Sequence, residues 1–135
     1  MKTIEPELEK IIYDYYIDIH KDKVLANKEY NNLWYLLDTD TNYQLISYGK
    51  IVFLLKFQNN KVEFHSMGKE DSAFAFANDI RKLIKYVKEL GVDIISTYGN
   101  NKIFEQVAKR LKLNIKQELD VGPDGLTYNY YKMEL

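Results

Sequence analysis

The feature that most limits this fold is the run Ile51-Val52-Phe53-Leu54-Leu55. Successive side chains of a strand point to opposite faces, so an unbroken apolar strand must be covered on both. As a helix the run is far too short to cross a bilayer, which takes about 20 apolar residues. It therefore predicts a central strand over residues 51–57, inside a sheet with helices on its two faces. Residues 43–48 read as a preceding strand, stopped at Gly49-Lys50. After a turn at Gln58-Asn59-Asn60, the segment Lys61–Met67 alternates. Val62, Phe64 and Ser66 face one way, and Glu63, His65 and Met67 the other. Two such runs about Asn-Asn predict an antiparallel hairpin.

The flanks switch to the helical period. Pro6 opens a first helix in which Leu8, Ile11, Ile12, Tyr15, Tyr16 and Ile19 recur at three and four residues. Asn27 is placed to cap a second, with Tyr30, Leu33, Trp34 and Leu37 on one face. Ser72 caps a long third helix, whose inner side runs from Phe76 to Leu90, with Gly91 as its C-terminal glycine. Residues 92–97 form a short strand. Asn100 or Asn101 caps a fourth helix with Phe104, Val107, Ala108 and Leu111 inward. Strands at 115–121 and 126–133 close the chain around Gly122-Pro123-Asp124-Gly125. The strand–helix–strand step from Met67 to Thr97 requires a right-handed crossover and one parallel pair. The expected class is α/β (α+β): a mixed, mostly antiparallel sheet of about six strands with helices on both faces.

Composition narrows the function. The chain has 135 residues, 46% of them hydrophobic, enough for one domain over 1–135 that needs no staples. It has no cysteine, which excludes disulfides, thiolate metal sites and a cysteine nucleophile. Two histidines, His20 and His65, are too few and too far apart for a zinc site, so no metal is expected. Nineteen basic against 20 acidic residues leave a net charge of −1, with no basic excess for nucleic acid. The N-terminal stretch lacks the apolar core of a leader, and no membrane segment is visible. A cytoplasmic protein is expected. The bias to Lys, Asn, Ile and Tyr, with 12 tyrosines, is what AT-rich coding yields in low-GC bacteria and their phages. Tyr13, Tyr15 and Tyr16, and Tyr128, Tyr130 and Tyr131, are either core edges or surfaces for another protein or a second copy.

The order of elements resembles that of the GNAT (N-acetyltransferase) superfamily, and local residues agree. Lys61–Met67 resembles the family's fourth strand. Residues 91–97, Gly-Val-Asp-Ile-Ile-Ser-Thr, resemble its fifth, and residues 100–111 the helix that follows. The likeness covers roughly residues 43–133. It implies that the fourth and fifth strands splay, that acetyl-CoA enters the gap, and that a helix N-terminus holds its diphosphate. Carried over by position, Phe64, Ser66, Met67, Lys69, Ser72, Ala73 and Asn101 would bind the cofactor. Glu63 or His65 would be the base, with alternation of a solvated strand as the plainer account of that pair. Tyr98 would stand in for the family's general acid, whose position falls at Ala108.

The diphosphate loop departs from the family's glycine-rich pattern. Residues 69–74 read Lys-Glu-Asp-Ser-Ala-Phe. Phe74 is expected to crowd a diphosphate, and Glu70 and Asp71 to repel one. These departures favour a non-catalytic module of this fold, a phage-type protein acting in the virion or on the host. The alternative is an acetyl-CoA-dependent N-acetyltransferase acting on an amine.

Overall fold

A computed structural model describes residues 5–99, 103–123 and 125–135. The elements run α1 (Pro6–His20), α2 (Lys23–Thr39), β1 (Tyr43–Tyr48), β2 (Ile51–Gln58), β3 (Lys61–Met67), α3 (Ala73–Glu89), β4 (Ile94–Gly99), α4 (Ile103–Arg110), β5 (Ile115–Val121) and β6 (Thr127–Glu134). The six strands form one sheet in the order β1-β2-β3-β4-β6-β5. All neighbours are antiparallel except β3 and β4, the pair joined by the α3 crossover.

The apolar run behaves as its alternation requires. Ile51, Phe53 and Leu55 enter one core, with Ile80, Leu83 and Val87 of α3 and Phe104 and Val107 of α4. Val52 enters a second core on the opposite face, with Ile12 of α1, Leu33 and Leu37 of α2, and Met67. The central side chains of both cores are fully buried, and each contributes about 2 kcal/mol on burial. The α1–α2 pair packs chiefly over β1, β2 and β3. On that face the sheet beyond β3 has no helix over it among the described residues. No described helix is long and apolar enough to cross a membrane.

Three boundaries differ from the sequence expectation. The cap of α2 is Asp22, whose Oδ1 accepts from the N–H groups of Val24 (3.0 Å) and Leu25 (3.5 Å). Lys21 turns the chain with φ 53°, so the second helix starts directly and Asn27 falls inside it. Val92 does not begin a strand. Its N–H closes α3 on the Val87 carbonyl (3.1 Å) and its side chain is buried, so β4 starts at Ile94. The last strand is shifted one residue, because β4 pairs with it from Ile94↔Glu134 to Gly99↔Asn129. Ser72 does cap α3, accepting from the Ala75 N–H at 3.1 Å.

Replacing Asp22 by Ala should cost about 1 kcal/mol, the usual worth of an N-cap. Asn27→Ala should leave stability unchanged or raise it, since alanine suits a helix interior. Urea unfolding of the two variants checks the assignment.

Candidate active site

The site begins where a ladder ends. β3 and β4 pair only at Lys61↔Ile94, Val62↔Ile95 and Glu63↔Ser96. One residue further, the Thr97 hydroxyl donates to the Phe64 carbonyl at 2.9 Å. Beyond that buried clasp the strands carry no mutual pairing, although β3 still pairs with β2 and β4 with β6. The Phe64 carbonyl points at β4. Backbone groups alternate sides along a strand, so those of Ser66 point into the same gap. A cavity of about 380 Å³ fills it. Phe64, Ser66, Phe76, Thr97, Phe104 and Tyr131 line it from the side of α3 and α4, and Tyr15, His65, Tyr98 and Tyr128 also border it. The Phe64 ring is held between Phe53 and Phe104, with centroids 5.9 and 5.8 Å away.

A second cavity of about 370 Å³ shares Ser66 and Phe76 with the first and reaches the start of α3. Gly68, Lys69, Glu70, Ser72 and Ala73 line it. The first N–H groups of a helix have no intrahelical acceptor, and here those of Ala73 and Phe74 lie ahead of the capped Ala75. The expected obstruction is absent. Phe74 is 66% exposed, and its ring lies under the Arg110 guanidinium, 5.6 Å from the ring centre. Helical geometry turns successive side chains by about 100°, so Phe74 points away from the face that Ala73 and Phe76 present to the cavity.

The two acidic residues of the loop are also engaged. Asp71 forms an ion pair with Lys50 at 2.8 Å. Glu70 accepts from the Lys50 N–H at 3.0 Å and lies beside Asp79, which is only 3% exposed. Burial, then the neighbouring Glu70, raises the Asp79 pKa from 3.8 to about 7, while the hydrogen bond with Asp79 holds Glu70 low. One proton is thus shared beneath the β1–β2 turn. Gly49 makes this possible: a Cβ there would sit 2.3 Å from Glu70 Oε2 and 2.5 Å from Asp79 Oδ1, and its φ is +57°.

A third recess, about 590 Å³, opens on the helix-free face and shares Tyr98 and Tyr128 with the gap. Glu63 and Asp120 supply its carboxylates. Asp120 accepts from the Tyr98 hydroxyl at 3.4 Å, and the Tyr98 ring packs on Tyr130 at 4.7 Å. Burial first, then Glu63 and Asp120, push the Tyr98 hydroxyl pKa up. His65 is hydrogen-bonded to the Tyr15 hydroxyl at 2.5 Å. Its ring reaches solvent through the cavity mouth yet is crowded by protein on its other sides, and that desolvation lowers its pKa. Burial raises that of Tyr15, which stays protonated.

The structure thus brings Glu63, Phe64, His65, Ser66, Lys69, Ser72, Ala73 and Tyr98 to the walls of three adjoining cavities. Met67 has its side chain in the α1–α2 core and lines neither the gap nor the loop cavity. Asn101 lies outside the described residues. Ala108 is buried at the place of the family's tyrosine. Sequence reasoning missed Thr97 as the clasp, Tyr15 as the partner of His65, and Tyr128 and Tyr131 as cavity walls. Spacing carries no signal for Tyr15, since 50 residues separate it from His65.

No protein-family model matches the sequence, and comparison with curated proteins finds no match. Solved structures do match. A ribosomal-protein-alanine N-acetyltransferase from Brucella melitensis superposes with a TM-score of 0.64 at 11% identity, over 96% of this chain and 93% of the other. The fold is that of the GNAT acetyltransferases. A GNAT-family acetyltransferase from Staphylococcus aureus gives 0.59 at 13% identity, over 99% and 97%. The PaiA N-acetyltransferase from Thermoplasma acidophilum, in complex with coenzyme A, gives 0.60 at 9% identity, over 96% and 91%. The two strands that the resemblance expects to part are β3 and β4, and their ladder stops at Glu63↔Ser96.

The shared proton gives a pH test. The folded Asp79 pKa of about 7 lies above its ordinary 3.8, so the folded state holds a proton that the unfolded chain releases. The contribution of Asp79 to stability then falls as pH rises from about 4 to about 7. Asp79→Asn should flatten that slope, read as the melting temperature against pH. An equal slope in both proteins would remove the shared proton from the account.

Proposed function

We propose that this chain is an acetyl-CoA-dependent N-acetyltransferase acting on an amine. The observation that carries the reading is the broken β3–β4 ladder. Three adjoining cavities lie along it, at the N-terminus of α3, in the gap itself and beside Glu63 on the other face. The likeness to acetyltransferase structures, one of them holding coenzyme A, supports it.

The residues present fit the ligand. The unpaired backbone groups of Phe64 and Ser66 would take the amides of a pantetheine arm, as a missing strand would. Lys69 and the N–H groups of Ala73 and Phe74 would hold a diphosphate, favoured by the positive end of the α3 dipole. Bound acetyl-CoA supplies an activated acyl carbonyl. Glu63 is half-buried, and among the described residues it has no ion-pair partner. Its carboxylate is the base that takes the amine proton. His65 is already committed to Tyr15 through Nε2, so it orients the mouth of the gap instead of acting as base. Tyr98 stays protonated at neutral pH and is the proton donor that the chain offers to a leaving thiolate.

A second reading, a binding module of the same fold without catalysis, is favoured by Ala108 in place of a tyrosine. Calorimetry separates the two. Acetyl-CoA should bind the wild type in the micromolar range, and Ser72→Glu should weaken it at least about tenfold by placing a carboxylate at the helix start. Glu63→Gln should keep that affinity and lower kcat about 100-fold with an amine acceptor. Acetyl-CoA binding without turnover of any amine would favour the module, and no binding at millimolar ligand would exclude the transferase.

A further inference from the structure

Asp79 stands in the second turn of α3, flanked by the core residues Ala77 and Ile80. Among the described residues it is the only charged side chain that is buried. Its Oδ2 has no hydrogen-bond partner among them, so a full charge there is unfavourable. Glu70 meets it from the loop between β3 and α3 and is hydrogen-bonded to it. Gly49 packs against both carboxyl groups from the β1–β2 turn. The two acids differ in freedom. Asp79 is fixed by the helix and by the core around it. Glu70 is partly exposed, lies outside every helix and strand, and lines the loop cavity with Lys69, Ser72 and Ala73.

We propose that the proton shared by Glu70 and Asp79 gates the cofactor loop. While it is present, Glu70 is held against α3; on its loss, Glu70 swings into the loop cavity. This is regulation of the site described above, and it rests on the acetyl-CoA reading. With one proton the loop is tied at three points: by Asp79, by the Lys50 N–H that Glu70 accepts at 3.0 Å, and by the Asp71–Lys50 ion pair. Without it, two carboxylates are in contact away from water, and like charges so placed repel. Glu70 is the one that can leave. Its departure brings negative charge beside Lys69, where a diphosphate would sit, and loosens the segment that leads into the capping Ser72. The surrounding charges do not offset this. Lys82 on α3 favours the Asp79 carboxylate, but less than burial and Glu70 oppose it. The Lys50 ammonium is engaged by Asp71, which itself opposes ionisation of Glu70. From α1, Asp14 and Asp18 border the groove that Lys50 and Lys69 also line, and add negative charge. The proton is released at about pH 7, so cofactor affinity is highest below that pH and falls above it.

The test is calorimetry of acetyl-CoA with the full chain between about pH 5.5 and about pH 8.5, on wild type, Asp79→Asn and Glu70→Gln. Asparagine at 79 keeps the size and donates to Glu70 at every pH. Glutamine at 70 removes the like charge. Wild-type affinity should fall about tenfold from the acid to the alkaline end, with net proton uptake on binding above neutrality. Both variants should lose that part of the dependence. Hydrogen exchange without ligand reads the loop directly. Protection of the Lys50 amide, whose acceptor is Glu70 Oε2, should drop above neutral pH in wild type and hold in Asp79→Asn. The same affinity profile in wild type and Asp79→Asn, or a Lys50 amide equally protected at both ends, overturns the gate and leaves the transferase reading standing. No binding by any chain at any pH overturns the transferase reading, and the Lys50 amide then decides the gate alone.

Discussion

The parallel contact between β3 and β4 is the seam on which this molecule depends. It joins the β1–β2–β3 meander to the β4–β6–β5 unit, and it consists of only three paired positions. A parallel ladder is set by the crossover that precedes it, here α3 with its cap at Ser72 and its closing motif at Val87–Val92. The Thr97–Phe64 hydrogen bond marks where the seam stops. Past that point each strand follows its own antiparallel partner. The right-handed twist of the two sheet halves then carries them apart. Backbone groups left unpaired inside a protein are costly unless a ligand or water satisfies them. The same divergence that weakens the sheet makes a slot with the polarity of a missing strand.

The two faces of the sheet are treated differently. α3 and α4 bury one face from β1 to β6, whereas α1 and α2 pack chiefly on the β1–β3 half of the other. Glu63 sits at the border of the covered region. Its register partner on β4 is Ser96, and Tyr98, whose ring packs on Tyr130, shares its recess. A cofactor arm approaching from α3 and an amine approaching from the open face would therefore meet at β3 from opposite sides. That arrangement lets the two substrates occupy the site together, as direct transfer requires.

Electrostatics at the start of α3 are less hostile than the bare count of acids implies. Asp71 is paired with Lys50, and Glu70 is drawn under the β1–β2 turn, where it shares a proton with Asp79. Lys69 and Glu70 are the charged residues of that cavity wall, and Lys69 is the one suited to an anion.

Much of this was legible in the chain itself. The unbroken apolar run demanded a strand covered on both faces, and periods of two and 3.6 located nearly every element, because burial acts on local alternation. Glu63, His65 and Ser72 were readable for the same reason: strand parity and capping chemistry are local. The GNAT-like order followed from that succession. Only the folded chain decided where the acidic loop residues direct their charge, since Lys50 and Asp79 lie 20 and nine residues away from Glu70. Only it turned Phe74 outward under Arg110 and brought Tyr15 to His65. The sequence determined which segments would be strands and helices and which faces they would bury. Tertiary structure decided where two of those strands part, because that point depends on competition between three ladders for the same backbone groups, and no local pattern records the outcome.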